Sequence, residues 1–243
     1  MHANTKDLYD ILAEDFNRSR GKNPWKDLVE FIQILKDERM IEVQEDSLVL
    51  DVGCGNGRNA RTIIDNFSWK GYVGVDFSYK LIEIAKKYTG NDKRLEFIQA
   101  SMTHLPFRDA SFDLLACIAA FHHLSTKDEM KSTLDEFQIV LDQESGCLLF
   151  STWRKWQEKF RNQVLRNYFR TPRDENTGKK MEKGIVNVSW KHSKSGVIYN
   201  RKYYLLSKSE LSKLLEKNFK IKSWKKLGGS GKKDNHFVYM ARK

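Results

Sequence analysis

The run Leu48-Val49-Leu50-Asp51-Val52-Gly53-Cys54-Gly55-Asn56-Gly57-Arg58 constrains the fold more than any other stretch of the chain. An apolar segment ends in an acidic residue, three alternating glycines follow, and a helical pattern begins directly after them. A continuous apolar run fits a strand buried on both faces, as in a parallel sheet. Gly53, Gly55 and Gly57 let the backbone turn sharply and approach a ligand more closely than a Cβ would permit. The spacing is G-x-G-x-G without the lysine and Ser/Thr of a triphosphate cradle, so the expected ligand lacks a triphosphate. A second apolar strand, Tyr72-Val73-Gly74-Val75, ends in Asp76, 19 residues beyond Gly57. An acidic residue there is placed to accept hydrogen bonds from a ribose. The glycine turn and the carboxylate in one βαβ unit weigh against a purely structural turn.

The same rhythm continues along the chain. Helical patterns from Arg58 to Asn66 and from Ser78 to Tyr88 alternate with strand patterns at Tyr72 to Asp76 and Leu95 to Gln99. A strand at Phe112 to Ile118, a helix at Lys127 to Leu141 and a strand at Cys147 to Trp153 complete a doubly wound α/β unit. Before it, Leu8, Ile11, Leu12 and Phe16 mark an amphipathic helix from Thr5 to Asn17 that could cover a bound ligand. A basic loop, Arg18 to Trp25, leads into a helix from Trp25 to Lys36, with Trp25 either core or ligand rim. After it, a helix from Ser207 to Glu216 precedes strands near Phe219 to Lys226 and His236 to Ala241. Gly228-Gly229-Ser230-Gly231 joins these two as an antiparallel hairpin at the sheet edge.

The 243 residues suffice for one domain with elaborations, spanning 1–243, with residues 1–46 as a helical cover. The formal charge of +11 favours a polyanionic partner, a basic surface serving solubility being the alternative. Residues 154–194 hold 12 Lys and Arg against 4 acids, so most of that excess lies in one stretch. Trp156, Phe160, Tyr168 and Phe169 are interleaved there, a composition suited to phosphate contacts and base stacking, or to an ordinary charged helix. Residues 154–200 are therefore the expected basic, substrate-binding insertion. Cys54, Cys117 and Cys147 lie singly in or beside strand patterns and read as reduced core thiols. With no long apolar span and no signal-peptide core, a soluble cytoplasmic protein without membrane contact is expected.

At Val49 to Gly57 the chain resembles the first motif of the class I S-adenosylmethionine-dependent methyltransferases, and the resemblance extends over about residues 47–153. It implies a doubly wound, seven-stranded, mostly parallel sheet of Rossmann-like type with an antiparallel C-terminal strand. It implies S-adenosylmethionine as cofactor, held by Tyr9, Asp51, Gly53, Cys54, Gly55, Gly57, Asp76, Phe77, Ser101, Met102 and Ile118. Asp51 and the glycine turn would face the methionine part, and Asp76 the ribose. No metal site is implied.

A methyl donor does not specify an acceptor. The fourth strand runs into Ala119-Ala120-Phe121-His122-His123, not the Asn/Asp-Pro-Pro-aromatic turn typical of base-amine methylation, and Cys117 lacks the setting of a cytosine nucleophile. Oxygen acceptors remain. The runs Ile118 to Thr126, Ser19 to Trp25 and Arg201 to Tyr204 resemble the tRNA wobble-uridine carboxymethyl methyltransferases, which esterify 5-carboxymethyluridine and work with a small zinc-binding activator subunit. The resemblance implies tRNA and such an activator as partners, and Ser19, Trp25, His123, Trp190 and Tyr203 as acceptor-side residues. A carboxylate is ionised at neutral pH and needs orientation, not a base, and arginine forks suit it. Arg20 and Arg201 are the expected clamps. His122 either donates to the acceptor or caps the next helix. A small-molecule O- or C-methyltransferase and a non-catalytic cofactor-binding partner protein are the competing readings.

Overall fold

In the computed structural model, residues 5–41, 46–67, 69–170, 173, 178, 180–228 and 234–243 are described. Helices α1 (Thr5–Arg20) and α2 (Lys26–Asp37) lead into β1 (Leu48–Val52), α3 (Ala60–Phe67), β2 (Gly71–Asp76), α4 (Tyr79–Thr89) and β3 (Leu95–Gln99). Then come β4 (Leu114–Ile118), a 3-10 turn (Phe121–His123), α5 (Lys127–Val140) and β5 (Cys147–Trp153). The C-terminal part comprises α6 (Glu158–Phe169), β6 (Ile185–Lys191), β7 (Ile198–Tyr204), α7 (Lys208–Leu215), β8 (Phe219–Leu227) and β9 (Asn235–Arg242).

Seven strands form one sheet in the order β3-β2-β1-β4-β5-β9-β8. The first five are parallel, and β9 runs antiparallel to both β5 and β8. Strand alternation divides the core into two layers. Leu50 and Val52 face α5 with Leu134 and Phe137, while Val49 faces α2 and α3 with Phe31, Ile32 and Ile63. The chain order reverses between β1 and β4, which opens a crevice at the strands' C-terminal ends, where open α/β sheets bind ligands.

Helix ends follow side-chain capping. The Ser78 hydroxyl accepts from Leu81 N at the start of α4, and Thr126 with Glu129, and Ser207 with Glu210, form reciprocal capping boxes. The expected basic loop from Arg18 needs correction. Arg18, Ser19 and Arg20 are the last turn of α1, because nothing breaks the helix before Gly21, whose φ of +63° ends it. The expected antiparallel terminal hairpin stands at the sheet edge, with β8 as the outermost strand and β9 between it and β5. Of its Gly228-Gly229-Ser230-Gly231 connection, all but Gly228 lies outside the described residues.

Sequence reading does not anticipate β6 and β7, an antiparallel pair that forms a second, separate sheet. α6 packs on it through Phe160 and Val164 against Val186, Val188, Tyr203 and Leu205. Phe160 is thus core, not a stacking surface. Residues 192–197 turn tightly between the strands, with Gly196 at φ +70°. There Asp15 of α1 accepts hydrogen bonds from the Ser193 amide and hydroxyl, each at 2.6 Å. The first helix and this hairpin are therefore fastened to each other.

Candidate active site

A cavity of about 550 Å³ occupies the crevice. Its floor is the glycine turn after β1, where Gly53 and Gly55 take φ of +77° and +58°. Gly55 N donates to Asp76 Oδ2 at 3.0 Å, and Ser78 N donates to Asp76 Oδ1 at 2.9 Å. Burial pushes the Asp76 carboxyl up to about 6, against these backbone donors. Ala119, just past β4, has φ +55° and donates its amide to Ser151 O and Oγ. That left-handed residue swings the chain out of the strand and brings the two histidines onto the cavity wall.

His122 is buried and stacked on Trp153 at 5.2 Å, with the tilted His123 ring 4.8 Å away. Burial, then His123, Arg201 and Arg20, hold its pKa well below the usual imidazole range, so His122 is neutral. His123 is neutral for the same reason, its pKa pushed down to about 3 by burial and Arg201. Its Nε2 lies 3.2 Å from the Tyr9 hydroxyl, which is also 3.5 Å from the Tyr203 hydroxyl and accepts from Arg201 at 3.5 Å. Lys159 of α6 reaches the cavity over the rings of Trp153 and Phe160, at 4.8 and 4.7 Å. Burial, Arg201 and Arg20 lower its pKa.

Most expected site residues meet here. Tyr9, Gly53, Cys54, Gly55, Asp76, Phe77, Ser101, Met102 and Ile118 line the cavity, as do Arg20, Trp25, His122, His123 and Tyr203. Five do not. Asp51 is buried within β1 and does not reach the cavity, accepting a 2.6 Å hydrogen bond from the Tyr72 hydroxyl, with its other oxygen unpartnered. Gly57 is needed for close packing: a Cβ there would lie 2.9 Å from Ala85 Cβ in α4. Ser19 donates to Phe16 O on the exposed side of α1. Arg201 stands behind Tyr9, its guanidinium 4.5 Å from the Trp190 ring, so Trp190 shields that cation instead of lining the cavity.

Other lining residues escape motif reading. Phe16 and Trp153 look like core in sequence, and Lys159 is one of many lysines. Asn56 and Asn59 had a signal, lying in and beside the glycine motif. Asn56 donates to Asn17 Oδ1 at 2.8 Å, and Asn59 accepts from Trp25 N at 3.0 Å, tying the α1–α2 connection to the glycine turn.

This sheet order, with a glycine turn after β1 and a cavity-lining carboxylate after β2, is the arrangement of the class I S-adenosylmethionine-dependent methyltransferase fold. The donors fit that cofactor: Asp76 presents acceptors suited to ribose hydroxyls, and the cavity is within the size range of small-molecule sites.

Residues 49–144 match the methyltransferase domain family. The chain is 30% identical over 151 residues to the tRNA (carboxymethyluridine(34)-5-O)-methyltransferase of Arabidopsis thaliana, an alignment covering 62% of this chain and 33% of that protein. It is similarly 30% identical to the enzyme of that description from Xenopus tropicalis, over 64% of this chain and 22% of that protein. The chain thus spans a third or less of the length of these curated relatives. Among solved structures, it superposes with a TM-score of 0.64 and 14% identity on a complex of the Haloferax volcanii Trm112 methyltransferase activator with a methyltransferase, over 99% of either chain. At that identity the match speaks for the fold.

Proposed function

We propose that this protein methylates tRNA, esterifying the carboxylate of 5-carboxymethyluridine at the wobble position. The observation that carries the reading is the convergence of cations on neutral histidines: Arg20 and Arg201 both act electrostatically on His122, Lys159 and Tyr203. Among the described residues, no carboxylate forms an ion pair with either guanidinium. Such a pocket suits an anionic acceptor. The descriptions of the Arabidopsis and Xenopus relatives name this acceptor.

S-adenosylmethionine, when bound, supplies an electrophilic methyl on a positively charged sulfur. Asp76 and the glycine turn would hold it, with Tyr9 and Phe77 lining the same cavity. The chain's own task is then orientation. A carboxylate is already ionised, so no residue has to remove a proton. Arg20 lies on the wall and offers the planar fork that binds both carboxylate oxygens, and Lys159 adds a point charge. Arg201 acts from behind Tyr9. Neutral His122 faces the acceptor side of the cavity and neutral His123 holds the Tyr9 hydroxyl, and neither adds charge that would quench the nucleophile. Residues 1–46 serve as cover and 154–200 as the tRNA-binding insertion.

We assign the activator partner to the free edge of the sheet at β3. That strand carries no Lys or Arg and exposes Ile98, whereas the opposite edge, β8, carries Lys220, Lys222, Lys225 and Lys226, the usual protection against strand addition. The deciding experiment is nucleoside mass spectrometry of tRNA from cells with and without this protein, paired with methyl transfer to carboxymethyluridine-bearing tRNA by the purified chain and activator. Loss of the methyl ester in the deletion supports the reading. An unchanged nucleoside profile moves a small-molecule O- or C-methyltransferase ahead.

A further inference from the structure

Outside the cavity, the loop before α6 and the end of that helix expose an aromatic cluster. Phe169 is 85% exposed, Tyr168 51% and Trp156 48%, side chains that solvated surfaces rarely leave so bare. Trp156, Tyr168 and Phe169 border one depression of about 440 Å³, floored by Lys155 and its ion pair to Glu210 at 2.8 Å. Two lysines address the Tyr168 ring: Lys183 at 4.7 Å from the centroid and Lys155 at 5.9 Å.

We propose that Trp156, Tyr168 and Phe169 form a stacking platform for unpaired bases of the RNA loop whose acceptor nucleotide enters the cavity. The inference rests on the tRNA reading above and adds a second contact site to it. Charge decides between RNA and protein as occupant. Residues 154–170 hold six basic side chains against one acid, and two lysines lie over the Tyr168 ring, leaving Trp156 and Phe169 as the open faces. Protein interfaces deplete lysine at their core, whereas single-stranded RNA is held by aromatic faces for bases and cations for phosphates. Geometry agrees. Lys159 of α6 lines the cavity, and Phe169 follows ten residues later on the same helix, about 15 Å away at 1.5 Å per residue. That is roughly four nucleotides at the 3.4 Å stacked rise, fewer if the strand is splayed.

The test is binding of the full chain to a short stem-loop RNA of anticodon-arm sequence and to a duplex of matched length. Phe169→Ala and Tyr168→Ala should each weaken stem-loop binding by roughly 5- to 150-fold, the range for losing one stacked base. Duplex affinity and S-adenosylhomocysteine affinity should hold. Because stacking releases no counterions, the salt slope should stay the same, whereas Lys183→Ala should lower it by about one unit. Phe169→Tyr should retain binding and Phe169→Leu should not. Wild-type stem-loop affinity in both alanine variants overturns the platform and leaves the tRNA reading standing. Equal losses on loop and duplex, or rescue by leucine, also overturn it. No RNA binding by the wild-type chain overturns both.

Discussion

The Tyr9 hydroxyl lies 3.2 Å from Nε2 of His123, joining the first helix to the turn that follows β4. Tyr203 and Arg201 of β7 approach the same oxygen at 3.5 Å, so three separate parts of the chain converge on one atom. Since His123 is held neutral, its Nε2 can serve as acceptor for that hydroxyl. Tyr9→Phe keeps the ring contacts with Phe16 and Phe77 and removes only the oxygen. The expected outcome is a loss of about 1 kcal/mol in stability. Turnover should fall several-fold more than S-adenosylmethionine affinity, because the oxygen orders the acceptor side. Thermal melts, calorimetry and steady-state kinetics on the same variant check it.

Burial pushes the Asp51 carboxyl from 3.8 up to about 7, with Asp76 a further raising influence and the Tyr72 hydroxyl opposing. The folded chain therefore holds this proton more tightly than the unfolded one. Between about pH 4 and 7 the folded state carries more protons, so this contribution to stability is full below pH 4 and is lost as pH rises through 7. Asp51→Asn keeps an acceptor for Tyr72 and removes the titration. Its melting temperature should vary less than wild type over that window. At pH 8 it should match or exceed wild type, a gain on the order of 1–3 kcal/mol. Parallel pH series of melts without cofactor decide it, and an unchanged slope would mean Asp51 titrates normally.

How far the sequence reaches depends on whether a residue's role is local. Asp76 and Gly55 are legible as cavity-lining residues because one βαβ unit specifies both the turn and the strand end that open onto the crevice. The order of β1 to β5 is legible because continuous apolar runs alternate with amphipathic helices. Arg201 misleads because whether its fork enters the cavity or stands behind Tyr9 depends on packing between β7 and α1, 192 residues apart. Gly57 misleads for a different reason: motif spacing cannot distinguish a glycine that admits a ligand from one that admits Ala85. β6 and β7 were hidden inside a charged stretch. The alternation in β6, Val186, Val188 and Trp190 against Asn187 and Ser189, has the strand period, but the surrounding lysines and arginines give the stretch an equally strong polyanion-binding composition that masks it.

Ile98 tests the partner surface. It lies on the outermost strand and is 37% exposed, so Ile98→Lys introduces a gatekeeping charge without disturbing the core. Co-expression with a small activator should give a stable complex for wild type and none for Ile98→Lys, read by size-exclusion chromatography. Melting temperature of the variant alone should stay within about 0.5 kcal/mol equivalent of wild type. A complex that survives the substitution would move the interface off β3.

Arg20 and Arg201 should separate acceptor orientation from cofactor binding. Arg20→Ala should lower turnover by one to two orders of magnitude, roughly the worth of a charge-assisted bidentate contact, with cofactor affinity nearly unchanged. Arg20→Lys should recover little, since a point charge cannot reproduce the fork. Arg201→Lys also loses the guanidinium's contact with the Trp190 ring and should lower turnover through the misplaced Tyr9 and Tyr203. If Arg20→Ala methylates carboxymethyluridine-bearing tRNA at the wild-type rate, the carboxylate is held elsewhere.

Gly53 and Gly55 are both left-handed, yet their substitutions should fail in different ways. A Cβ at Gly53 would lie 2.3 Å from the Ala120 Cβ, a clash between the two turns that form the cavity floor and neither can yield cheaply. At Gly55 the nearest atom is a Phe16 ring carbon at 3.4 Å, an ordinary contact, so the fold bears only the cost of a left-handed alanine, about 1–2 kcal/mol. Gly53→Ala should thus destabilise by more than Gly55→Ala, the excess reflecting overpacking of about 1–3 kcal/mol. Gly55→Ala should remain folded at room temperature while losing S-adenosylmethionine affinity at least tenfold, because the new methyl projects toward the cavity beside Asp76. Chemical denaturation separates the two stabilities, and calorimetry on folded Gly55→Ala gives the affinity. Retained affinity in that variant would mean the cofactor approaches along a different part of the turn.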